Sequence, residues 1–319
     1  MHRMGEKMDG KVEKISAENF KKHQIWYDEL LPNLIKDLAD FPYAFIKGDV
    51  LSKLAYGSVG YRDNHDVDIL VSKSMRGELQ KILYANGFVE DVRDEDGNFR
   101  KLTRTEKIVL INSHQDIDYI KYAGYNYVNI DVNYDLFWGE YTGKQIDILN
   151  DFLTDTHFER IFSQDVKALS KVKSFIQLCL HHYREMNAIY LFKLDNPFRV
   201  SMFRDVYYLY KTFSAGETAE LCDLIDKYEI KEYIYYVIYL TSQLYKDDKW
   251  SELLNRCFTE KGKYLLEYYG LTDLERKKWH ISLQQRMAST DLYSEVEPYL
   301  SQKDKYKVDN TIGFITAVD

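Results

Sequence analysis

Asp66 and Asp68 stand two residues apart where a glycine-containing loop (Gly57, Gly60) runs into the apolar stretch Val67, Ile69, Leu70 and Val71. Residues two apart on a strand share a face, so both carboxylates project together while Val67, Ile69 and Val71 face a core. Two anions side by side are unfavourable unless a cation neutralises them. Hard oxygen donors of this kind suit Mg²⁺, bound by a few carboxylates and completed by substrate phosphates. A third carboxylate is at hand in Tyr127-Val-Asn-Ile-Asp-Val-Asn133, a β-branched run in which alternation puts Asn129, Asp131 and Asn133 on one face. Asp118 and Asp135 compete with Asp131 for that place.

Basic and turn residues flank the pair. Lys47 ends the apolar run 43–46, and Gly48 then turns the chain into Val50, Leu51 and Leu54 at helical spacing. The Lys47 side chain either meets phosphate or snorkels to solvent. Arg62, on the glycine-flanked loop, is either a bidentate partner for a triphosphate or a surface charge. Asp49 either caps the helix that follows or competes with an anion for its N-terminal amides. His181 and His182 share a helical apolar pattern with Phe175, Leu178 and Cys179, where a satisfied structural histidine is the commoner outcome; His65 reads as a loop residue.

The elements that must hold these residues follow from periodicity. Phe20, Trp26, Leu30, Leu34 and Leu38 predict a helix over 17–38, restarted at Pro32. Strands are expected at 43–46 and 67–71, then a helix through Leu79, Ile82 and Leu83 that Gly87 ends. An acidic turn region covers 88–99. The stretch 108–111 reads as strand or helix, and 117–122 and 127–136 read as strands, the last leading to 138–141. Beyond 147 the texture changes: 152–161, 166–183, 203–213, 218–245, 250–269 and 275–287 all show helical spacing. The expected organisation is a loose polar tail at 1–15, an α+β catalytic domain at 16–150 and an all-helical domain at 151–319. The tyrosines of 233–239 are expected to be helix-packing surface rather than a platform for bases.

Lys47-Gly48, Tyr56, Arg62 and Asp66-Val-Asp-Ile-Leu-Val71, followed by Ile130-Asp-Val132, Leu178-Cys-Leu-His181 and Asp205, resemble a known pattern. The order of turn glycine, helix, Asp-x-Asp strand and later single Asp is that of the nucleotidyltransferase superfamily with the DNA polymerase beta type of palm. More narrowly it is similar to the bacterial group called uncharacterised nucleotidyltransferases, over roughly residues 30 to 210. That resemblance implies a palm of short mixed sheet and helices, with an active site in the cleft between it and the helical domain. It implies two Mg²⁺ held by Asp66, Asp68 and Asp131, and an NTP donor met by Lys47, Gly48, Arg62 and His181. It further implies transfer of a nucleoside monophosphate to a hydroxyl or phosphate with release of pyrophosphate, Asp131 helping to deprotonate the acceptor. The chain departs from the pattern at Asp49, where the superfamily has a small hydroxyl residue or glycine, and at Asn133, where the narrower group often has His. The stretch from Gly48 to Asp66 is also long for the superfamily.

Composition narrows the substrates. In 319 residues, 45% apolar and 15% aromatic content is ample for a packed core. A net charge of −8 argues against a general nucleic-acid binder, so a small-molecule or protein acceptor is expected. Cys179, Cys222 and Cys257 show neither disulfide nor metal spacing, which fits a reducing cytoplasm. No apolar stretch reaches the ~18 residues a membrane helix needs, and residues 1–14 are too charged for a signal peptide. The competing expectation, prompted by Asp49, is a catalytically inactive descendant that senses nucleotide or binds protein.

Overall fold

The computed structural model describes residues 13–94, 96–112, 116–136 and 148–318. Most of the expected loose tail, and the segment 138–141, lie outside the described residues. Ile15, just inside them, donates its N–H to Gly60 O at 2.9 Å.

The chain opens with α1 (Ala17–Ile25), capped by Ser16 accepting from Asn19 N. It then widens into a π turn, Trp26–Leu30, where Leu31 N bonds Trp26 O. Pro32 starts α2 (Pro32–Asp37) at the position where its missing N–H costs nothing. Next come β1 (Tyr43–Ile46), α3 (Gly48–Tyr56), β2 (Val67–Val71), α4 (Arg76–Ala85) and β3 (Val89–Glu90). Then α5 (Arg104–Asn112) precedes β4 (Tyr119–Ala123) and β5 (Asn126–Asn133), and α6 (Leu149–Leu153) precedes the hairpin β6 (His157–Ile161) and β7 (Gln164–Ala168).

The seven strands form one mixed sheet in the order β3-β4-β5-β2-β1-β7-β6. β1 pairs antiparallel with β2, whereas β2 with β5 and β1 with β7 are parallel. Both central strands are buried on both faces, β1 as an apolar run and β2 as one interrupted only by Asp68. Phe45, Ile69, Leu70 and Val132 are all at or below 1% exposure, and each such side chain stabilises by about 1.5–3 kcal/mol. Arg76 clamps the β4 end of the sheet, donating Nε and Nη2 to Asp116 at 2.8 and 2.7 Å, while Tyr134 OH donates to the same carboxylate at 2.6 Å.

The described residues divide into two compact units. One holds the sheet and its helices, up to Leu136 and again from 148 to Ser174. The other runs from Phe175 to Ala317 and is almost entirely helical. The helix α7 (Lys171–Glu185) leads into it, and it includes α8 (Ile189–Leu194), α9 (Val200–Lys211), α10 (Ala215–Lys227), α11 (Lys231–Leu244), α12 (Lys249–Cys257) and α13 (Glu260–Leu265). Tyrosines interlock it: Tyr183 meets Tyr233 and Tyr236 edge-on at 4.8 and 5.3 Å, and Tyr210 stacks on Trp250 at 4.8 Å. Tyr233, Tyr235 and Tyr236 are buried, so the tyrosine run packs helices.

Several expectations change, and one open reading is decided. The stretch 152–161 is not one helix: α6 ends at Leu153, and 157–161 belongs to a hairpin whose alternating exposure a spacing of Phe152 and Ile161 concealed. The hairpin's second strand takes 166–168, so the helix expected over 166–183 begins only at Lys171, and the helical stretch expected over 250–269 ends at Leu265, before the strand at 268–269. The stretch 108–111 is helical, started by a reciprocal cap in which Thr103 N donates to Glu106 Oε2 and Glu106 N to Thr103 Oγ1. Within 275–287, Lys277–Lys278 (β9) pairs with Tyr268–Tyr269 (β8), and helix resumes only at α14 (Leu283–Ala288). Among the described residues no helix is long and apolar enough to cross a membrane.

Candidate active site

The parallel ladder between β2 and β5 sets Asp68 opposite Asp131. Partners in register share a face, so two carboxylates from strands far apart in sequence meet on adjacent strands. Both are buried, at 5% and 7% exposure. Asn133, two residues on from Asp131, points the same way and donates Nδ2 to Asp68 Oδ1 at 3.4 Å. Asp66 lies just before β2, partly buried.

Lys47 is the cation of this cluster. Its Nζ donates to Asp68 Oδ1 at 2.6 Å. Burial works against its charge, but Asp68 first, then Asp131 and Asp66, override burial and raise its pKa. One ammonium does not serve three carboxylates. Burial, with repulsion from Asp68 next, pushes Asp66 up to about 6 against the pull of Lys47 and His65. Asp131 is driven well above the usual carboxylate range by burial and then by Asp68, with Asp118 and Asp66 adding to it and Lys47 opposing. The buried Tyr27 hydroxyl is likewise raised, first by burial and then by Asp49 and Asp68.

The backbone stores strain here. Lys47 has φ 53°, a left-handed region that costs a non-glycine residue about 1–3 kcal/mol. Gly48 follows at φ 43° and opens α3 with no side-chain cap on its first amides. A β-carbon on Gly48 would sit 3.5 Å from Asn64 Nδ2. That amide is buried and without a hydrogen-bond partner, although the Asn64 carbonyl accepts from His23 Nε2 at 3.1 Å. An uncapped helix start with an unmatched donor beside it is an anion cradle in composition.

Asp49 does not contest that cradle. Its Oδ1 meets His23 Nδ1 at 3.2 Å, and His23 stacks on Trp26 with centroids 4.8 Å apart. Trp26 in turn donates Nε1 to Tyr127 O on β5 at 2.7 Å. Both of the roles considered for Asp49 from sequence, a cap and a rival to an anion, give way to this chain of contacts.

The structure thus brings Lys47, Gly48, Asp66, Asp68 and Asp131 together. Arg62 lies partly buried on the loop two residues before Asn64. His181 belongs to the other unit, on α7, where it pairs with Glu185. Asn64 and His23 escaped the sequence reading. Asn64 is one polar loop residue among several, and His23 sits in a helix whose apolar spacing gave no reason to look for a charged partner.

A model of the uncharacterised nucleotidyltransferase family matches residues 4–246. The chain belongs to that family. The match takes in every element of the site, from α1 through β5, and runs on into the helical unit. No curated protein and no solved structure matches the chain. Membership in a nucleotidyltransferase family points to the transfer of a nucleotidyl group in general.

The donor set suits a hard divalent cation. Three carboxylates lie near the Lys47 ammonium, and burial first and repulsion from Asp68 second hold Asp66 and Asp131 above their ordinary pKa, which a bound cation would relieve.

Proposed function

We propose that the protein is a Mg²⁺-dependent nucleotidyltransferase that moves a nucleoside monophosphate from an NTP to a small-molecule or protein acceptor, releasing pyrophosphate. The observation that carries this reading is the register of Asp68 with Asp131, with Asp66 and Lys47 gathered at the same end of the sheet. Asp66, Asp68 and Asp131 would hold two Mg²⁺, whose chemistry is to neutralise phosphate charge and acidify the attacking hydroxyl. The α3 amides and Asn64 Nδ2 receive the terminal phosphates, and Lys47 and Arg62 supply positive charge. An Asp131 oxygen accepts the acceptor's proton as its oxygen bonds to the α-phosphorus, and pyrophosphate leaves with the electrons of the broken P–O bond. The contact of Asp49 with His23 favours this reading over the alternative that Asp49 prompted, a catalytically inactive module that senses nucleotide or binds protein. The charge of −8 favours an acceptor other than nucleic acid, and three free cysteines fit a cytoplasmic setting.

The test is incubation with each of four α-labelled NTPs, with Mg²⁺ or with EDTA, against bulk RNA and against a nucleic-acid-free metabolite and protein extract. Label in the metabolite or protein fraction, lost with EDTA, supports the proposal. Label on RNA overturns the acceptor class, and no transfer from any NTP overturns the enzyme.

A further inference from the structure

The last turn of α7 carries a second cluster of ligand-type atoms, none of which the nucleotidyl-transfer reading uses for metal. His181 Nε2 lies 3.2 Å from Glu185 Oε2, and His182 Nδ1 lies 3.4 Å from the same oxygen. Ligand atoms of the three residues fall within 4.8 Å of one another, which among the described residues is true of no other group of three His, Cys, Asp or Glu. His181 and Glu185 are four apart and so face the same way on the helix, and the adjacent ring of His182 swings to the same oxygen.

Two of the three separations are those of a coordination shell, and a small rotation of the His rings would bring in the third. Zinc bonds imidazole nitrogen at about 2.0–2.1 Å and carboxylate oxygen at about 2.0–2.2 Å, so a tetrahedral centre keeps its ligand atoms roughly 3.3–3.5 Å apart. Two edges of that tetrahedron are already close to this length. Two imidazoles and one carboxylate are also a set that leaves a fourth position open for water or a further ligand. The side chains of His181, His182 and Glu185 are 18%, 6% and 18% exposed, and groups so far removed from water need a charge partner. One divalent cation in place of the protons shared across these two contacts would satisfy both nitrogens and the oxygen together.

We infer that His181, His182 and Glu185 form a binding site for a zinc-class divalent cation, distinct in ligand type from the all-oxygen cluster on the sheet. The experiment uses the full chain, stripped with EDTA, dialysed and titrated with zinc sulfate in excess Mg²⁺ so that the carboxylates of the sheet are occupied. Expected is one equivalent of zinc in the wild type and in Asp131→Asn. Binding should weaken in His181→Ala and in Glu185→Gln by at least about a hundredfold, the upper loss seen when even an outer partner is removed. Cobalt(II) added to the wild type should give the intense visible bands of a tetrahedral centre, a readout that does not depend on any variant folding. No zinc uptake by the wild type, uptake unchanged in Glu185→Gln, or cobalt bands of octahedral intensity would each overturn the site.

Discussion

Asp49 and His23 face each other at 3.2 Å with their side chains 1% and 0% exposed. The pair fixes which way the first turn of α3 points its one acidic residue, so the chemistry of the turn rests on a helix that precedes it by more than twenty residues. Breaking a buried pair by removing one partner typically costs 3–5 kcal/mol. His23→Ala should therefore lower stability by about 3 kcal/mol in urea denaturation. It should also weaken NTP binding, because a released Asp49 carboxylate would face the anion cradle. Unchanged affinity in a folded His23→Ala protein would show that Asp49 has no bearing on the cradle.

Asp68→Asn and Asp131→Asn should move stability in opposite directions. The first leaves the largely buried Lys47 ammonium without its hydrogen-bonded carboxylate, a loss of roughly 1–3 kcal/mol. The second removes a charge that burial and Asp68 disfavour, so the metal-free protein should melt higher. Both should reduce turnover on the order of a hundredfold or more. Differential scanning calorimetry without metal reads the first contrast, and an α-labelled NTP assay reads the second.

Asn64→Ala should raise the KM for NTP about tenfold, the worth of one hydrogen bond of about 1.4 kcal/mol to a charged group, with little change in melting, since its amide has no partner to lose. Asn64→Asp should be worse, placing an anion where a donor stood. A KM unmoved by either change would remove Asn64 from the phosphate site.

Glu106 sets an acid limit. Its carboxylate accepts from Arg100 Nη1 and Nη2 at 2.9 and 2.7 Å and from Thr103 N at 2.6 Å. Arg100 first, with Thr103, holds its pKa down to about 2. A depressed carboxylate contributes stability that is fully present above its unfolded value of about 4.3 and is lost as pH falls from there toward 2. Glu106→Gln should therefore be less stable at neutral pH and lose less between pH 4.5 and 2.5, as followed by circular dichroism.

The acidic strand was legible because its signal is local: two carboxylates at period two inside an apolar run have few other uses. Asp131 was legible for the same reason, but its partnership with Asp68 depends on a parallel pairing between distant strands, which no single stretch encodes. The hairpin 157–168 was missed because its outward residues include Phe158, 64% exposed, so that apolar spacing suggested a helix. Thr103-Arg-Thr-Glu106 carried a helix start that an expectation of strand or helix at 108–111 left unused. The His23–Asp49 contact joins two helices through polar atoms, and periodicity describes only apolar faces.

The strand order has a consequence for the life of the chain on the ribosome. β1, which ends at the strained Lys47, is flanked by β2 soon after it emerges, but its other side waits for β7, paired through Phe45 and Ala168. Throughout synthesis of the residues between, a two-sided apolar strand shows a row of open N–H and C=O groups to any neighbouring nascent chain. Truncation at residue 150 would make that transient state permanent. The hairpin that leads into the helical unit is what moves the open edge from the apolar β1 to β6, whose exposed residues alternate with partly buried ones.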